Sequence, residues 1–248
     1  MPHFEVIILG TGDAFSEERT PTALLLVYGG FSLAVDCPDS YRKVLRETAT
    51  KADRALSLEG VDHLLLTHVH GDHMNGIESV AFYKHLVERK RLTLVASSEV
   101  RSVIWEQRLR ASMGTLWDGE VLREKRFEDY FDFRPLSWSD STTVGPFRIR
   151  ARPTRHHVPT SALLVEAGGR VLGYSSDAAF DAELLDFLAP ADLILHETNL
   201  GPAHSPLSAL EALPEGIRER MVLVHYPDGL AESGTSIRLA HQGDVLRP

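Results

Sequence analysis

The sequence predicts an α/β protein that folds as a four-layer αββα sandwich, in which two β-sheets pack face to face and helices cover their outer faces. Apolar, β-rich runs recur in both halves of the chain, each bounded by Gly, Pro or charged residues, as strands usually are. Helical patterns lie between the later strands, and the second half repeats this order. No linker or low-complexity tract interrupts the 248 residues, so we predict one domain over residues 1–248.

The first half is predicted to form a hairpin sheet followed by alternating strands and helices. Gly29-Gly30 lies between two apolar runs and is a two-residue signal for a hairpin turn. The predicted strands are Val6–Leu9, Ala23–Tyr28, Phe31–Asp36, Leu64–Leu66 and Leu92–Ala96, and the predicted helices are Tyr41–Thr48, Ile77–Glu88 and Val100–Leu109.

The second half repeats the pattern. Gly168-Gly169 indicates a second hairpin, Pro190 ends one helix, and Pro206 begins another. The predicted strands are Phe147–Arg152, Ala162–Glu166, Val171–Tyr174, Asp192–Leu195 and Val222–Val224, and the predicted helices are Ala182–Leu188 and Pro206–Ala212.

The segment 105–141 fits neither pattern, because aromatic side chains are mixed with charged ones and no period is clear. The favoured interpretation is an outer helix followed by a long connection whose aromatic side chains pack on the core. The alternative is a cap over a binding cleft, since long irregular segments in compact domains are often functional.

Charge and composition limit the compartment and the partners. The net charge is −9, and an acidic surface repels the phosphate backbone of nucleic acids. Cys37 is the only cysteine, which excludes an intrachain disulfide and a multi-thiolate zinc site. The apolar run Val6–Leu9 is too short for a secretory signal or a membrane span. We therefore expect a cytoplasmic protein with no membrane partner.

A candidate metal site follows the fourth predicted strand. The run Thr67-His68-Val69-His70-Gly71-Asp72-His73 has three histidines and an aspartate within six residues. In an extended chain His68 and His70 point to the same side and can bind one ion. The glycine permits a sharp turn that brings Asp72 and His73 towards a second ion. Polar side chains clustered at the end of a buried strand cost desolvation unless they bind something, and these ligands suit zinc and several other divalent metals.

This run resembles the His-x-His-x-Asp-His signature of the metallo-β-lactamase superfamily, and the match is complete. In that family the remaining ligands lie at the ends of later strands. His156 is favoured over its neighbour His157, because the His-x-Val-Pro spacing is similar to the ribonuclease Z branch. The resemblance implies one ion held by His68, His70, His156 and Asp177, and a second held by Asp72, His73, Asp177 and His225. Zinc is the expected metal for both positions, with manganese or iron as alternatives.

A second group of residues resembles the ribonuclease Z and phosphodiesterase branch of the same superfamily. His196-Glu197-Thr198 is followed by His204-Ser205-Pro206, where that branch has a His-Glu-Ala-Thr and then a His-Ser-Thr element. The resemblance implies that His204 is the general acid that protonates the leaving oxygen and that Glu197 orients it. The alternative is that Glu197 pairs locally and His204 is an ordinary loop residue.

The first loop, Leu9-Gly10-Thr11-Gly12-Asp13, also resembles that of the family. A lone Gly-x-Gly is weak evidence for nucleotide binding, and a structural turn that faces the metal site is the favoured interpretation. Asp36 is expected to have a structural part in the same fold.

The resemblance implies a dinuclear metal-dependent hydrolase with Asp72, His204 and Glu197 as catalytic residues. The predicted function is a small-molecule phosphodiesterase that uses metal-bound hydroxide. The alternative is a hydrolase of a carboxylic ester, lactone, thioester or lactam at the same site. A di-iron redox protein is disfavoured because related flavodiiron proteins have a glutamate where this chain has His70. A non-catalytic scaffold is disfavoured because such derivatives commonly lose ligands.

The expected substrate is a small molecule. Ribonuclease Z carries a long basic arm that holds transfer RNA, and this chain has only the Gly168-Gly169 hairpin between His156 and Asp177. We therefore do not expect transfer RNA as a partner. Relatives often form homodimers, and the sequence leaves a homodimer and a monomer as open alternatives.

Overall fold

The computed structural model describes residues 2–248, and two seven-stranded sheets form its centre. The first sheet contains β1 (Glu5–Gly10), β2 (Ala23–Tyr28), β3 (Phe31–Val35), β4 (His63–Leu65), β5 (Leu92–Ala96), β8 (Phe131–Pro135) and β16 (Val245–Leu246). Their order across the sheet is β16-β1-β2-β3-β4-β5-β8. The strands from β16 to β3 pair antiparallel, and those from β3 to β8 pair parallel.

The second sheet has the same plan. It contains β9 (Thr142–Val144), β10 (Phe147–Pro153), β11 (Ser161–Ala167), β12 (Arg170–Tyr174), β13 (Leu193–Glu197), β14 (Met221–Val224) and β15 (Arg238–Leu239), adjacent in chain order. The strands from β9 to β12 pair antiparallel, and those from β12 to β15 pair parallel. A separate hairpin joins β6 (Thr115–Trp117) to β7 (Leu122–Glu124).

Nine α-helical segments lie in the described part of the chain, residues 2–248. They are α1 (Tyr41–Ala52), α2 (Gly71–Met74), α3 (Ile77–Phe82), α4 (Ser98–Val103), α5 (Arg110–Met113), α6 (Phe127–Tyr130), α7 (Ala182–Leu188), α8 (Leu207–Glu211) and α9 (Glu215–Arg218). The π-helical turns Tyr83–Glu88 and Ile104–Leu109 extend α3 and α4, and short 3₁₀ turns occur at Leu58–Gly60 and Glu232–Gly234.

Alternation along the strands produces the layers. In β1, Val6 and Ile8 lie in the core between the two sheets, while Ile7 and Leu9 lie in the core beneath the outer helices, because successive strand side chains point to opposite faces. Leu184 of α7 lies in a third core with residues of the second sheet. The structure therefore has helices on the outer face of each sheet, and the predicted four-layer αββα sandwich is confirmed.

Several boundaries differ from the predicted ones. β4 ends at Leu65, one residue before the predicted end, and α1 continues to Ala52. The strands β15 and β16 were not predicted, since two-residue strands carry too short a pattern to detect. Within residues 2–248 no helix is both long and apolar enough to cross a lipid bilayer.

The segment 105–141 contains both core and surface structure. Trp105, Phe127 and Tyr130 are buried in the core beneath the helices of the first sheet, and β8 completes that sheet's edge. The β6–β7 hairpin projects from this base, with Trp117 and Leu122 exposed at its surface. The aromatic side chains therefore pack as the first interpretation expects, while the hairpin is free of the core.

We expect that the hairpin can be excised without loss of the fold. Replacing Leu116–Arg123 by Asn-Gly keeps Thr115 and Glu124, which pair with each other, and supplies a two-residue turn. The free energy of unfolding, measured by urea denaturation, should change by less than about 1 kcal/mol because exposed residues are lost. A matched Phe127→Ala variant, which empties a buried site, should lose about 3–5 kcal/mol. A collapse of catalytic turnover in the stable excised chain would support the cap interpretation, and unchanged turnover would contradict it.

Candidate metal centre

The predicted ligands lie at one edge of the sandwich. Strands of equal direction within a sheet bring their carboxyl ends to the same edge, where ligand sites of α/β proteins usually form. Here that edge receives chain segments from both sheets. Asp36 follows β3, the run from His68 to His73 follows β4, His156 follows β10, Asp177 follows β12 and His225 follows β14.

Four side chains converge as the first ligand set. His70 Nδ1 lies 3.2 Å from His68 Nε2 and 3.1 Å from His156 Nε2. Asp177 Oδ2 lies 3.8 Å from His68 Nε2 and 3.6 Å from His156 Nε2. Tetrahedral ligands of a zinc ion are separated from one another by about 3.4 Å, given zinc–nitrogen distances of about 2.0–2.1 Å. These four atoms are therefore spaced as one divalent metal ion requires.

Outer hydrogen bonds fix which nitrogen of His68 faces the site. The hydroxyl of Thr67 lies 2.9 Å from each Asp36 carboxylate oxygen and donates its hydrogen there. Its oxygen must then accept from His68 Nδ1, 3.0 Å away. The Nε2 lone pair of His68 consequently points into the site, as a metal ligand requires.

The same logic applies to two further histidines. His156 Nδ1 lies 3.1 Å from the carbonyl oxygen of Ala203, and His73 Nδ1 lies 2.9 Å from Asp36 Oδ2. Both partners are acceptors, so each Nδ1 carries a hydrogen and each Nε2 is the ring atom that faces the site, where it can bind a metal ion once it is unprotonated. These nitrogen atoms converge on a space that a cation would satisfy.

A second ligand set lies beside the first. His73 Nε2 is 3.4 Å from Asp72 Oδ2 and 3.3 Å from Asp177 Oδ1, and His225 Nε2 is 3.3 Å from Asp177 Oδ2. Asp177 thus has atoms in both sets, as a bridging carboxylate would. His73 Nε2 and Asp177 Oδ1 are buried and lack a hydrogen-bond partner, which is costly unless they coordinate something.

The charges at the centre attract a cation. Burial lowers the pKa of His73, but the carboxylates of Asp177 and Asp36 outweigh burial and hold that pKa well above its usual value. Burial raises the pKa of Asp177, and the nearby His225 and His73 outweigh this and hold it well below its usual range. Buried carboxylates that make a buried histidine this basic would favour a divalent cation for the same reason.

Glu197 and His204 form a dyad at the wall of this centre. Glu197 Oε1 lies 3.0 Å from His204 Nδ1 and also accepts from the backbone nitrogen of Ala178 at 2.8 Å. The His204 ring stacks on His225 with centroids 5.7 Å apart and lies 5.2 Å from the His156 ring. The side chain therefore stands between the two ligand sets.

The environment shifts the pKa of both residues of the dyad upward. Burial raises the pKa of Glu197 to about 7. Burial lowers the pKa of His204, but its hydrogen bond to Glu197 and the charge of that carboxylate raise the net pKa above the usual value. Because a hydrogen bond joins the two groups, protonation of one affects protonation of the other. Because Nδ1 of His204 is bonded to Glu197, Nε2 is the ring atom that can pass a proton to a molecule bound in the cavity.

A cavity of about 620 Å³ opens over the centre. Its wall contains ligands from both sets, His204 and a rim of loop residues, and its size is typical of small-molecule sites. Among the described residues that line it, none comes from the segment 105–141. The geometry of the cavity therefore does not support the cap interpretation.

The sequence-predicted site residues are brought together. His156 reaches the first ligand set, whereas His157 is exposed, with its ring centroid 6.2 Å from that of His70. His196, the neighbour of Glu197, is a buried structural histidine that contacts the Glu197 carbonyl oxygen, and burial lowers its pKa to about 4.

Sequence reasoning missed the partners that support the ligands. Asp36 was assigned only a structural part, and Asn199 was not singled out, although it follows the His-Glu-Thr element directly. Asn199 donates to Asp13 at 2.8 Å and to the His225 carbonyl oxygen at 3.2 Å. Position next to a motif was the only available signal for Asn199.

Comparisons with known proteins give relatives whose match extends over nearly the whole chain. The chain is 30% identical over 258 residues to the Anti-Pycsar protein Apyc1 of Bacillus phage BSP38, covering 96% of each chain. It is 25% identical over 260 residues to the cGMP-dependent 3′,5′-cGMP phosphodiesterase A of Dictyostelium discoideum, covering 98% of this chain and 28% of that protein.

Solved structures share the fold. The metallo-β-lactamase fold protein YhfI from Bacillus subtilis superposes with a TM-score of 0.76 at 18% identity and covers 100% of both chains. The short form of human tRNase Z superposes with a TM-score of 0.71 at 19% identity and covers 98% of both chains. The predicted metallo-β-lactamase fold is therefore confirmed.

The family follows from the sequence match. The prediction of a phosphodiesterase-like metallohydrolase is confirmed by the relatives and by the cluster of metal-binding side chains. The model of the family described as Anti-Pycsar protein Apyc1 matches residues 4–245. The chain belongs to this family.

Proposed function

We propose that this protein hydrolyses 3′,5′-cyclic mononucleotides with two divalent metal ions. His68, His70, His156 and Asp177 would hold one ion, and Asp72, His73, Asp177 and His225 would hold the other. The observation that carries the proposal is the Glu197–His204 dyad, which stands against both ligand sets. Two divalent ions would supply an activated water and neutralise charge on a phosphoryl group.

The protein's own side chains supply the remaining steps. His204 lies beside Asp177 and His225 and lines the cavity, so its Nε2 can protonate the leaving oxygen while Glu197 holds the opposite ring nitrogen. Asp177 fixes the position of one ligand set relative to the other, because its carboxylate contacts histidines of both sets. The ribose oxygen of a cyclic nucleotide is a strongly basic leaving group, and such a group gains most from a positioned acid.

The substrate class has two further supports. A relative that spans nearly the whole chain is named a 3′,5′-cGMP phosphodiesterase. The interval between His156 and Asp177 is filled by the β11–β12 hairpin, which closes where Ala167 pairs with Arg170. Together with the net charge of −9, this compact edge suits a small anion bound at a metal centre better than a transfer RNA.

The first test is turnover by purified protein that has been stripped with a chelator and reloaded with zinc or manganese. We expect hydrolysis of cyclic GMP, cyclic AMP and bis(p-nitrophenyl) phosphate, and a loss of at least about a hundredfold in Asp72→Ala, because a ligand of the second set is removed. The exposed Asp140→Ala variant is the matched control and should keep full activity. Turnover of p-nitrophenyl acetate or a lactone without any phosphodiester turnover would contradict the proposal.

The general-acid role of His204 predicts a dependence on the leaving group. His204→Ala should lower kcat for cyclic nucleotides by about 10²–10⁴-fold, since their ribose oxygen must be protonated. The loss for bis(p-nitrophenyl) phosphate should be far smaller, because p-nitrophenolate leaves without a proton. Glu197→Gln should show the same selectivity. Equal losses for both substrates would show that the change disturbs the metal ligands and would remove the acid role.

Asp36 predicts a selective effect on metal binding. Its carboxylate holds His73 Nδ1 and the backbone nitrogen and hydroxyl of Thr67, so Asp36→Asn should misorient His73. We expect the affinity for one of two ions to fall by about 10–100-fold, measured by competition with a chromophoric chelator. Asp39→Asn, an exposed neighbour, should bind both ions as before. Unchanged binding in Asp36→Asn would show that orientation of His73 does not depend on this carboxylate.

A further inference from the structure

Two exposed apolar side chains stand at the rim of the cavity over the metal centre. Phe15 is 90% exposed and Leu200 is 79% exposed, more than any other large hydrophobic residue in the described chain. Both line the cavity. Isolated exposed hydrophobic residues are common on protein surfaces, but two that line the same cavity as the candidate metal ligands are placed to contact a molecule bound there.

One hydrogen-bonded pair holds the backbone of both rim residues. Asp13 Oδ1 accepts from the Phe15 backbone nitrogen at 2.8 Å, and Asn199 Oδ1 accepts from the Leu200 backbone nitrogen at 2.7 Å. Asn199 Nδ2 donates to Asp13 Oδ2 at 2.8 Å. The two loops are therefore tied to each other directly beneath the exposed side chains.

The rim is also tied to the metal centre. Asn199 Nδ2 lies 3.2 Å from the carbonyl oxygen of the ligand His225. Three residues later Asp228 accepts from the Ser16 hydroxyl at 2.6 Å, from the Glu17 backbone nitrogen at 2.7 Å and from Arg19 at 2.6 Å. The loop that carries Phe15 is therefore held by hydrogen bonds on both sides of this residue. Asn199 binds it before Phe15, and Asp228 binds it after Phe15.

This arrangement sets the position of the rim relative to the reacting atoms. Phe15 and Leu200 line the same cavity as residues of both ligand sets, so the remaining part of a molecule whose phosphate binds at those sets can reach the two side chains. These two side chains offer an aromatic ring and a branched alkyl group with no hydrogen-bonding atoms. They suit a flat, weakly hydrated ring system, because aromatic stacking on bases tolerates different base identities.

We propose that Phe15 and Leu200 clamp the nucleobase of the cyclic nucleotide, an inference that rests on the function proposed above. The side chains set the affinity for the base, and the Asp13–Asn199 pair holds both loops in the position from which they reach it. Because the rim offers apolar contact, the clamp accepts purine and pyrimidine bases alike and distinguishes a nucleotide from the same cyclic phosphate without a base.

The test compares substrates with and without a base. For Phe15→Ala and Leu200→Ala we expect KM for cyclic GMP and cyclic UMP to rise about ten- to a hundredfold, the effect of removing one stacking side chain, with kcat within about threefold. KM for ribose 3′,5′-cyclic phosphate, which lacks the base, should not change. Phe15→Trp should restore KM for the nucleotides. Val87→Ala, a similarly apolar exposed change at a residue that does not line the cavity, should leave all values unchanged.

Several outcomes would overturn the clamp. Equal changes in KM for the nucleotide and the baseless substrate, or no change for either, would show that the rim does not contact the base while the proposed phosphodiesterase function stands. Sedimentation equilibrium of the wild type and of Phe15→Ala gives a second measurement, and loss of a dimer in the variant would show that a second copy covers the rim.

A wild-type protein without phosphodiester turnover would remove the proposed function. Equilibrium binding of guanosine would then decide the clamp, with weaker binding in Phe15→Ala supporting it and equal or absent binding overturning it.

Discussion

The site depends on one buried carboxylate. Asp177 is 2% exposed, and its two oxygens lie within 3.8 Å of nitrogens from His68, His73, His156 and His225. A buried anion is costly unless it is paired or coordinates a metal. The Asp177 carboxylate therefore requires a positive charge next to it, at the edge of the sandwich where the histidines converge. The histidines can supply that charge only as protonated rings, whereas metal ions supply it with the lone pairs directed inward, as the outer hydrogen bonds already fix them.

The backbone is bent where the ligands must be aimed. Asp36 has φ +62°, Ser176 has φ +49° and His225 has φ +51°, a left-handed conformation that non-glycine residues rarely adopt. Asp36 and His225 come directly after β3 and β14, and Ser176 comes directly before Asp177. Such strain persists only where the surrounding structure over-determines it. Here the hydrogen bonds of both sheets hold the strand ends, so the sheets keep these left-handed residues, and the site residues beside them, in place.

Local pattern carried most of what could be predicted. The alternation of apolar residues predicted the hairpins and central strands, and the run from His68 to His73 located the site because four of the ligands are neighbours in sequence. His156, Asp177 and His225 needed the family resemblance, since each is ordinary by itself. Contacts such as the one between Asp13 and Asn199, which are 186 positions apart, leave no local pattern. The predicted helices Ile77–Glu88 and Val100–Leu109 include both π-helical turns, but their π geometry and the edge strand β8 were not predicted, because tertiary packing, rather than propensity, selects them.

The Glu197–His204 pair and the rim of the cavity are held in the same way, by a side chain that also hydrogen-bonds to the backbone near a predicted metal ligand. Glu197 holds His204 and also accepts from the backbone nitrogen of Ala178, the residue after Asp177. Asn199 holds the rim loops and donates to the carbonyl oxygen of His225. Each group therefore hydrogen-bonds to the backbone at or next to a predicted metal ligand, so its position depends on the position of that ligand. Phe15 and Leu200 contribute only apolar side chains to the cavity, while their backbones carry the attachment. Substitution of those side chains can therefore alter which molecule binds in the cavity without moving the predicted metal-binding side chains. The hydrogen bonds thus separate the residues that would select the substrate from those that would carry out the reaction.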